Sequence, residues 1–345
     1  MDIAELLEFS VKHNASDLHL SAGVPPMVRI DGEVRKLGVP AFTHSDVHRL
    51  VFEIMNDAQR SEYEEKLEVD FSFELPNVGR FRVNAFHQAR GCSAVFRTIP
   101  TVIPTLEQLD APEIFTKIAN YEKGLVLVTG PTGSGKSTTL AAMVDYVNAH
   151  HNKHILTIED PIEFVHSNNK CLINQREVHR DTHSLKNALR SALREDPDVI
   201  LVGELRDQET ISLALTAAET GHLVFGTLHT SSAAKTIDRI IDVFPGSDKD
   251  MVRSMLSESL RAVIAQKLLK RVGGGRVACH EIMLATPAIR NLIREDKVAQ
   301  MYSIIQTGAA HGMQTMEQNA KQLMVRGVVD AQEVQSKIEL DLKAF

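Results

Sequence analysis

The chain has 345 residues, of which 43 % are hydrophobic, and a net charge of −7. This length predicts two domains with substantial cores, and the acidic balance disfavours a nucleic-acid partner. The N-terminus is acidic and no apolar run approaches the ~20 residues that span a bilayer, which predicts no signal peptide, no membrane insertion and a cytoplasmic location. Cys92, Cys171 and Cys279 are far apart, so buried free thiols are expected and a zinc ribbon is not.

The first part of the chain predicts an α/β domain with a mostly antiparallel sheet. The predicted helices are residues 2–13, 45–55 and 58–66, and the predicted strands are residues 17–22, 27–30, 33–37, 69–75, 80–87 and 93–99. Asp2 and Glu5 have the spacing of a helix capping box, and Asp31-Gly32 is a two-residue hairpin signal. We expect residues 1–98 to form the first domain.

A linker is predicted at residues 99–112, because Pro100 and Pro104 cannot continue the sheet. Strands then alternate with helices. The predicted strands are residues 125–129, 154–158, 199–202, 223–227 and 277–283, and the predicted helices are residues 138–148, 184–194, 207–220 and 233–243. This alternation indicates a three-layer α/β domain with a largely parallel sheet at residues 113–345, and the tail from about Pro287 is predicted to be helical.

The most specific motif lies between the predicted strand 125–129 and the helix that follows it. Gly130-Pro131-Thr132-Gly133-Ser134-Gly135-Lys136-Ser137 matches the P-loop pattern G-x-x-x-x-G-K-[ST] in its required context. Glycines let the backbone curve around a phosphate, and the helix N-terminus adds partial positive charge. We expect Lys136 to bind the β- and γ-phosphates and Ser137 to bind Mg²⁺. The predicted nucleotide-binding residues are Gly130, Thr132, Gly133, Ser134, Gly135, Lys136, Ser137 and Thr138.

Two acidic segments follow predicted strands. Glu204 closes the strand at 199–202 and is expected to act near Mg²⁺ as a Walker B residue; a solvated strand-end carboxylate is the alternative. Glu159, Asp160 and Glu163 lie within five residues after the strand at 154–158, where neighbouring carboxylates repel unless a cation or base chemistry holds them. Glu159 is predicted beside Mg²⁺, partly through water, and Glu163 is predicted as the general base. An exposed acidic turn is the alternative.

Histidines flank the predicted strand at 223–227. His229 follows its carboxyl end and is expected to sense the γ-phosphate, whereas His222 precedes the strand. A structural role is the alternative for both histidines.

At these motifs the chain resembles the secretion ATPases of type II, type IV pilus and type IV secretion systems. Residues 130–137, 156–163, 191–207 and 220–230 resemble the Walker A, Asp box, Walker B and His box of that superfamily. Over nearly its full length the chain resembles the pilus retraction branch, and residues 288–295 are the most telling segment. Assembly relatives typically carry a four-cysteine zinc module that these isolated cysteines cannot form.

The resemblance implies a PAS-like N-terminal domain, a RecA-like C-terminal domain and a ring of six subunits with ATP at subunit boundaries. It implies that arginines of the first domain, at Arg80, Arg82 and Arg97, help to complete the site; Arg82 and Arg97 are the predicted catalytic pair. The expected partners are an inner-membrane pilus platform protein and a second, paralogous retraction ATPase. The expected location is cytoplasmic, at the inner membrane face during docking.

Residues 288–295 are also predicted to be a docking surface. Ile289, Leu292 and Ile293 form an apolar stripe at helical spacing beside Arg290 and Arg294.

The predicted function is ATP hydrolysis that drives pilus retraction. Two alternatives stay open. A RecA-like nucleic-acid motor is suggested by a basic run at Lys267, Lys270, Arg271 and Arg276, although a solvated face explains that run as well. The other alternative is a nucleotide-gated scaffold without turnover.

Overall fold

The computed structural model describes residues 2–30, 33–100 and 102–342, with side chains through Ile338. The chain divides into two compact units. The first unit ends at Val102 and also takes in Glu163–Val165, whereas the second comprises Ile103–Ile162 and continues from His166. The predicted Asp31-Gly32 hairpin turn lies outside the described residues. In the part of the chain that the structure describes, no helix is both long and apolar enough to cross a membrane.

The first unit is a mixed α/β structure with one six-stranded sheet. Its elements are α1 (Ile3–Lys12), β1 (Asp17–Ser21), β2 (Met27–Ile30), β3 (Glu33–Lys36), α2 (His44–Glu53), α3 (Asp57–Lys66), β4 (Glu68–Leu75), β5 (Gly79–Gln88) and β6 (Gly91–Ile99). The strand order is β3-β2-β1-β6-β5-β4, and every neighbouring pair is antiparallel, as predicted. The predicted capping box of Asp2 and Glu5 is confirmed at the start of α1.

The two faces of this sheet differ, because side chains alternate along each strand. Phe81 and Val83 of β5 and Phe96 of β6 are fully buried in the core of the unit. Arg82 lies on the opposite face and pairs directly with Arg97 of β6. The exposed part of this face therefore carries Arg82 and Arg97.

The second unit contains the remaining elements. They are α4 (Ile114–Ala119), β7 (Gly124–Thr129), α5 (Lys136–His150), β8 (His154–Glu159), β9 (Leu172–Glu177), α6 (Leu185–Ala192), β10 (Val199–Val202), α7 (Gln208–Glu219), β11 (Leu223–Leu228), α8 (Ala233–Asp242), α9 (Lys249–Ser259), β12 (Leu260–Lys270), β13 (Arg276–Leu284), α10 (Pro287–Arg294), α11 (Met301–Thr307), α12 (Met316–Val325) and α13 (Ala331–Leu342). The tail after β13 is helical, as predicted.

The second sheet has seven strands in the order β13-β12-β7-β11-β10-β8-β9. All neighbours from β12 to β9 are parallel, and only the β12–β13 pair is antiparallel. Strands β7, β10 and β11 are buried along their whole length. The predicted parallel α/β fold is therefore confirmed.

The sequence prediction missed two strands of this sheet. β12 begins directly where α9 ends, so its apolar run carries no turn signal and cannot be told from helix by periodicity. β9 is a polar edge strand, Leu-Ile-Asn-Gln-Arg-Glu, whose composition resembles a loop. Two residues of the predicted basic run, Lys267 and Lys270, lie on β12. The far end of β12 forms a separate small core with β13, α12 and α13.

The prediction that the apolar stripe of residues 288–295 is a docking surface is wrong. Ile289 and Ile293 of α10 are completely buried and Leu292 is nearly so, because this stripe packs into the main core of the second unit. An amphipathic helix normally turns its apolar stripe inward, and α10 follows that rule. Arg294 donates to Glu258 of α9 across 3.0 Å, which further fixes the helix.

Candidate nucleotide site

The predicted motifs meet at one edge of the parallel sheet. In the strand register, Thr129 at the end of β7 lies beside Leu228 at the end of β11. Val202 of β10 lies beside Gly226 of β11 on one side and beside Ile158 of β8 on the other. Parallel strands present their carboxyl ends at one edge, so the segments that follow these four strands are neighbours.

The P-loop connects β7 to α5 through backbone conformations that favour glycine. Gly133 and Gly135 have φ angles of 77° and 86°, in the left-handed region, and α5 begins at Lys136. At Gly130 a Cβ atom would come within 2.3 Å of the carbonyl oxygen of Gln266, so only glycine fits. Thr132 is exposed, whereas Ser137 and Thr138 are half-buried in the first turn of α5.

Lys136 lies inside this loop. Its Nζ donates to the carbonyl oxygens of Gly130 at 2.8 Å and Pro131 at 3.1 Å. The Ser134 hydroxyl of the same loop is buried and has no hydrogen-bond partner among the described residues. A buried cation and an unpartnered donor at a helix N-terminus suit a phosphate group, so these residues fit a nucleotide triphosphate.

Gln266 of β12 is a site residue that sequence reasoning missed. Its buried side-chain amide donates to the Ser134 carbonyl at 2.7 Å and accepts from the Thr139 hydroxyl at 2.8 Å. It therefore joins the loop to the first turn of α5. The available signal was a glutamine directly after the apolar run Ala262–Ala265, because a buried amide requires partners.

Glu204 and His229 come together at the sheet edge. Glu204 Oε1 lies 3.3 Å from His229 Nε2, and Glu204 Oε2 accepts from Arg206 at 2.6 Å. Burial alone would raise the pKa of Glu204, but the Arg206 hydrogen bond and the neighbouring His229 outweigh it and hold that pKa below its ordinary value. Glu204 is therefore a carboxylate at neutral pH. Arg206 is a second residue that the motif analysis did not single out.

The structure places Glu159 and Glu163 differently. Glu159 is half-buried at the end of β8 and accepts from the Thr157 hydroxyl at 2.6 Å and from Gln175 Nε2 at 3.3 Å. Glu163 is exposed, follows β8 in an irregular segment and groups with the first unit. Its action at the nucleotide stays a prediction.

The Mg²⁺ prediction involves Ser137, Glu204 and Glu159. Among the described residues, no three His, Cys, Asp or Glu side chains are arranged to hold a metal ion. Mg²⁺ usually keeps several waters and binds one or two protein ligands together with substrate phosphates. A site with Ser137 as direct ligand and carboxylates acting through water fits that preference.

The predicted arginines lie in the first unit. Arg97 Nε donates to the buried Asp17 at 2.9 Å, and its side chain is 68 % exposed. Arg82 Nε is 4.0 Å from Asp70 Oδ1, with its side chain 46 % exposed. Arg80 is buried and donates to Ser72, which favours a structural role for it.

Comparisons with known proteins identify the family. The family model described as type II/IV secretion system protein matches residues 2–336. The chain is 66 % identical to the type IV pilus retraction ATPase PilT of Pseudomonas aeruginosa, over 99 % of both chains. It is 62 % identical to a twitching motility protein of Neisseria gonorrhoeae, over 95 % of this chain and 88 % of that one.

A solved structure extends the likeness to the fold. The crystal structure of the pilus retraction motor PilT with bound ADP superposes with a TM-score of 0.91 at 48 % identity, covering 97 % of this chain and 96 % of the other. The two-sheet architecture is thus shared over almost the whole length. The chain belongs to the type II/IV secretion system protein family.

Proposed function

We propose that this chain is an ATPase that drives retraction of type IV pili. The observation that carries the proposal is the P-loop with Lys136 at the same sheet edge as the Glu204–His229 pair, in a chain 66 % identical to a retraction ATPase. Binding requires only the loop, whereas hydrolysis also requires ionised groups near the γ-phosphate. Both are present.

The P-loop residues bind and orient the triphosphate. Lys136 exchanges its bonds to loop carbonyls for the β- and γ-phosphate oxygens, and the backbone of the glycine-rich loop encloses the phosphates. Ser137 would be the protein ligand of Mg²⁺, which would neutralise phosphate charge when bound.

The acidic residues have separate proposed roles in hydrolysis. Glu163 is the proposed base that takes a proton from the attacking water. Glu204 stays ionised and holds His229 through the 3.3 Å contact; with Glu159 it would orient water at a bound Mg²⁺. Because His229 Nε2 faces Glu204, Nδ1 is the ring nitrogen proposed to sense the γ-phosphate.

Single substitutions separate these roles. In Glu163→Gln and in Glu204→Gln we expect ATP-analogue affinity to stay within about threefold while turnover falls by orders of magnitude. Glu219→Gln, an exposed carboxylate at the end of α7, is the matched control. Loss of analogue binding in both active-site variants, or unchanged turnover in both, contradicts the division.

The active form is proposed to be a homohexamer, in which Arg82 and Arg97 of one subunit complete the site of a neighbour. Transition-state charge on the γ-phosphoryl group needs cations beyond Lys136. Mixing Arg97→Ala subunits with Lys136→Ala subunits tests the idea. Activity above the additive expectation supports completion by a neighbour, and activity that never exceeds it contradicts the idea.

The proposed cellular role is tested in a strain that lacks this protein. We expect that strain to be piliated but unable to twitch, and the complementing chain to restore movement. The proposed partners are an inner-membrane platform protein and a second retraction ATPase, with docking on the cytoplasmic side. Loss of pili altogether contradicts the retraction role.

A further inference from the structure

Two polar side chains of β9 bind the backbone at both ends of the segment that carries Glu163. Gln175 Oε1 accepts from the backbone N–H of His166 at 2.7 Å. Glu177 Oε2 accepts from the backbone N–H of Ile162 at 3.0 Å. We call Gln175 and Glu177 the β9 clamp.

The geometry of a strand explains why these two residues act together. Gln175 and Glu177 are two positions apart, so their side chains leave β9 on the same face. Arg176 lies between them, points to the other face and pairs with Glu195 at 2.9 Å. Glu177 is almost completely buried, so its bond to Ile162 is shielded from water.

The clamp also contacts the neighbouring acidic residue. The amide of Gln175 donates from Nε2 to Glu159 Oε1 at 3.3 Å while its Oε1 accepts from His166. One side chain thus links the end of β8 to the far end of the segment. The amide uses a donor and an acceptor at once, which a carboxylate could not do.

We propose that Gln175 and Glu177 are positioning residues that hold the segment 162–166 so that Glu163 meets the attacking water. This inference rests on the proposed role of Glu163 as base. A general base must lie within hydrogen-bond reach of the proton that it removes, and a displacement of about 1 Å can cost a hundredfold in rate. Two fixed backbone amides, at Ile162 and His166, limit such displacement.

The kinetic test uses Gln175→Ala and Glu177→Ala in the full chain. We expect kcat to fall about 10- to 100-fold in each, with ATP-analogue affinity within about threefold of the parent, because the P-loop is untouched. Glu177→Gln keeps an oxygen that can accept from Ile162 and should retain most of the activity. Arg176→Ala, on the opposite face of the same strand, is the control.

Folding is checked in the same variants by thermal unfolding. Gln175 is only half-buried, so its variant is expected to fold even if the buried Glu177→Ala does not. A fall in kcat with unchanged melting temperature and affinity supports positioning. Unchanged kcat in a folded Gln175→Ala contradicts the clamp.

A double-mutant cycle identifies what the clamp positions. If Gln175 acts through Glu163, then adding Gln175→Ala to Glu163→Gln should lower kcat by less than twofold, although each single change is large. Additive losses contradict the inference while leaving Glu163 as base. Normal kcat in Glu163→Gln contradicts the base itself and with it the clamp.

Discussion

The two sheets of this chain use their surfaces in opposite ways. In the second unit, β7, β10 and β11 are buried from end to end, and the P-loop, Glu204 and His229 follow the ends of these strands. In the first unit, one sheet face is core and the other carries Arg82 and Arg97 in its exposed layer. Site residues at strand ends are held in place by the buried strands that precede them, so their positions depend on the core. Residues on an exposed sheet face can be substituted with little effect on the stability of the fold.

Lys136→Ala tests the strand-end site, and the expected loss of nucleotide affinity is the largest of these effects. It removes the cation inside the P-loop, and loss of one partner of a buried, charge-assisted pair costs about 2–5 kcal/mol, or about 30- to 5,000-fold in affinity. Titration with an ATP analogue measures the loss. The control is Lys123→Ala, an exposed lysine before the opposite end of β7. Equal loss in both variants would contradict a site confined to the carboxyl edge.

Ile293→Ala tests whether α10 belongs to the core. Truncating a fully buried isoleucine should cost about 2–5 kcal/mol of unfolding free energy, so ATPase activity and retraction fall together at elevated temperature. Asn291→Ala, on the exposed face of α10, should change stability by about 0.5 kcal/mol or less. Chemical denaturation compares the two. A stable Ile293→Ala that hydrolyses ATP but does not support retraction would restore the docking-surface hypothesis.

Gln266→Leu tests how far the strand-end site depends on a neighbouring strand. The change leaves the Ser134 carbonyl and the buried Thr139 hydroxyl without this partner. This should lower the unfolding free energy by about 1–3 kcal/mol. We expect weaker nucleotide binding together with a lower melting temperature. Gln322→Leu, on the exposed side of α12, is the control. Unchanged affinity would mean that the P-loop keeps its shape without β12.

Acid should weaken the second unit through the half-buried His166 and the buried His280. Burial lowers the pKa of His166 and of His280 from 6.5 to about 4. Because the folded pKa is depressed, this stability is present above pH 6.5 and is lost as pH falls toward 4, by about 2 kcal/mol for each histidine at pH 5. Urea midpoints measured from pH 7 to 5 follow the loss. In His280→Gln the dependence on pH should be shallower, and an unchanged slope would exclude His280 as a contributor.

Arg82→Ala should have the smallest effect on stability. The carboxylate of Asp70 is 4.0 Å away and about half of the Arg82 side chain is exposed, so the unfolding free energy should change by about 0.5 kcal/mol or less. Phe81→Ala, one residue away on the buried face, should cost about 3–5 kcal/mol. ATPase assays of Arg82→Ala then report on function alone. A large loss of stability in Arg82→Ala would contradict the two-faced sheet.

Local sequence patterns predicted the strand-end site because its parts are local. A P-loop lies between one strand and one helix, and Glu204 and His229 each follow an apolar strand, so parallel pairing alone brings them together. Gln266 lies 132 residues after Ser134 in the sequence, and a local sequence pattern cannot predict a contact between residues so far apart along the chain. The contacts of α10 could not be predicted for a related reason. An apolar stripe indicates that the helix face is buried, but it does not show whether the core of the same chain or a partner covers it.

One strand, β12, belongs to two cores, and this has a consequence for local opening. From Leu260 to Ala265 it pairs with β7 in the main core. Beyond Gln266 it pairs with β13 alone, and Leu269 packs in the small core with α12 and α13. The backbone N–H of Lys270 donates to Glu333 of α13 at 3.0 Å.

Hydrogen exchange should therefore divide β12 at Gln266. Opening of the small core would release the amides from Lys267 to Lys270 while those from Ala262 to Ala265 stay protected by the main sheet. A nucleotide bound at the P-loop would slow exchange of the amides from Ala262 to Ala265. Any change in exchange from Lys267 to Lys270 would measure how strongly nucleotide binding is coupled to the C-terminal helices.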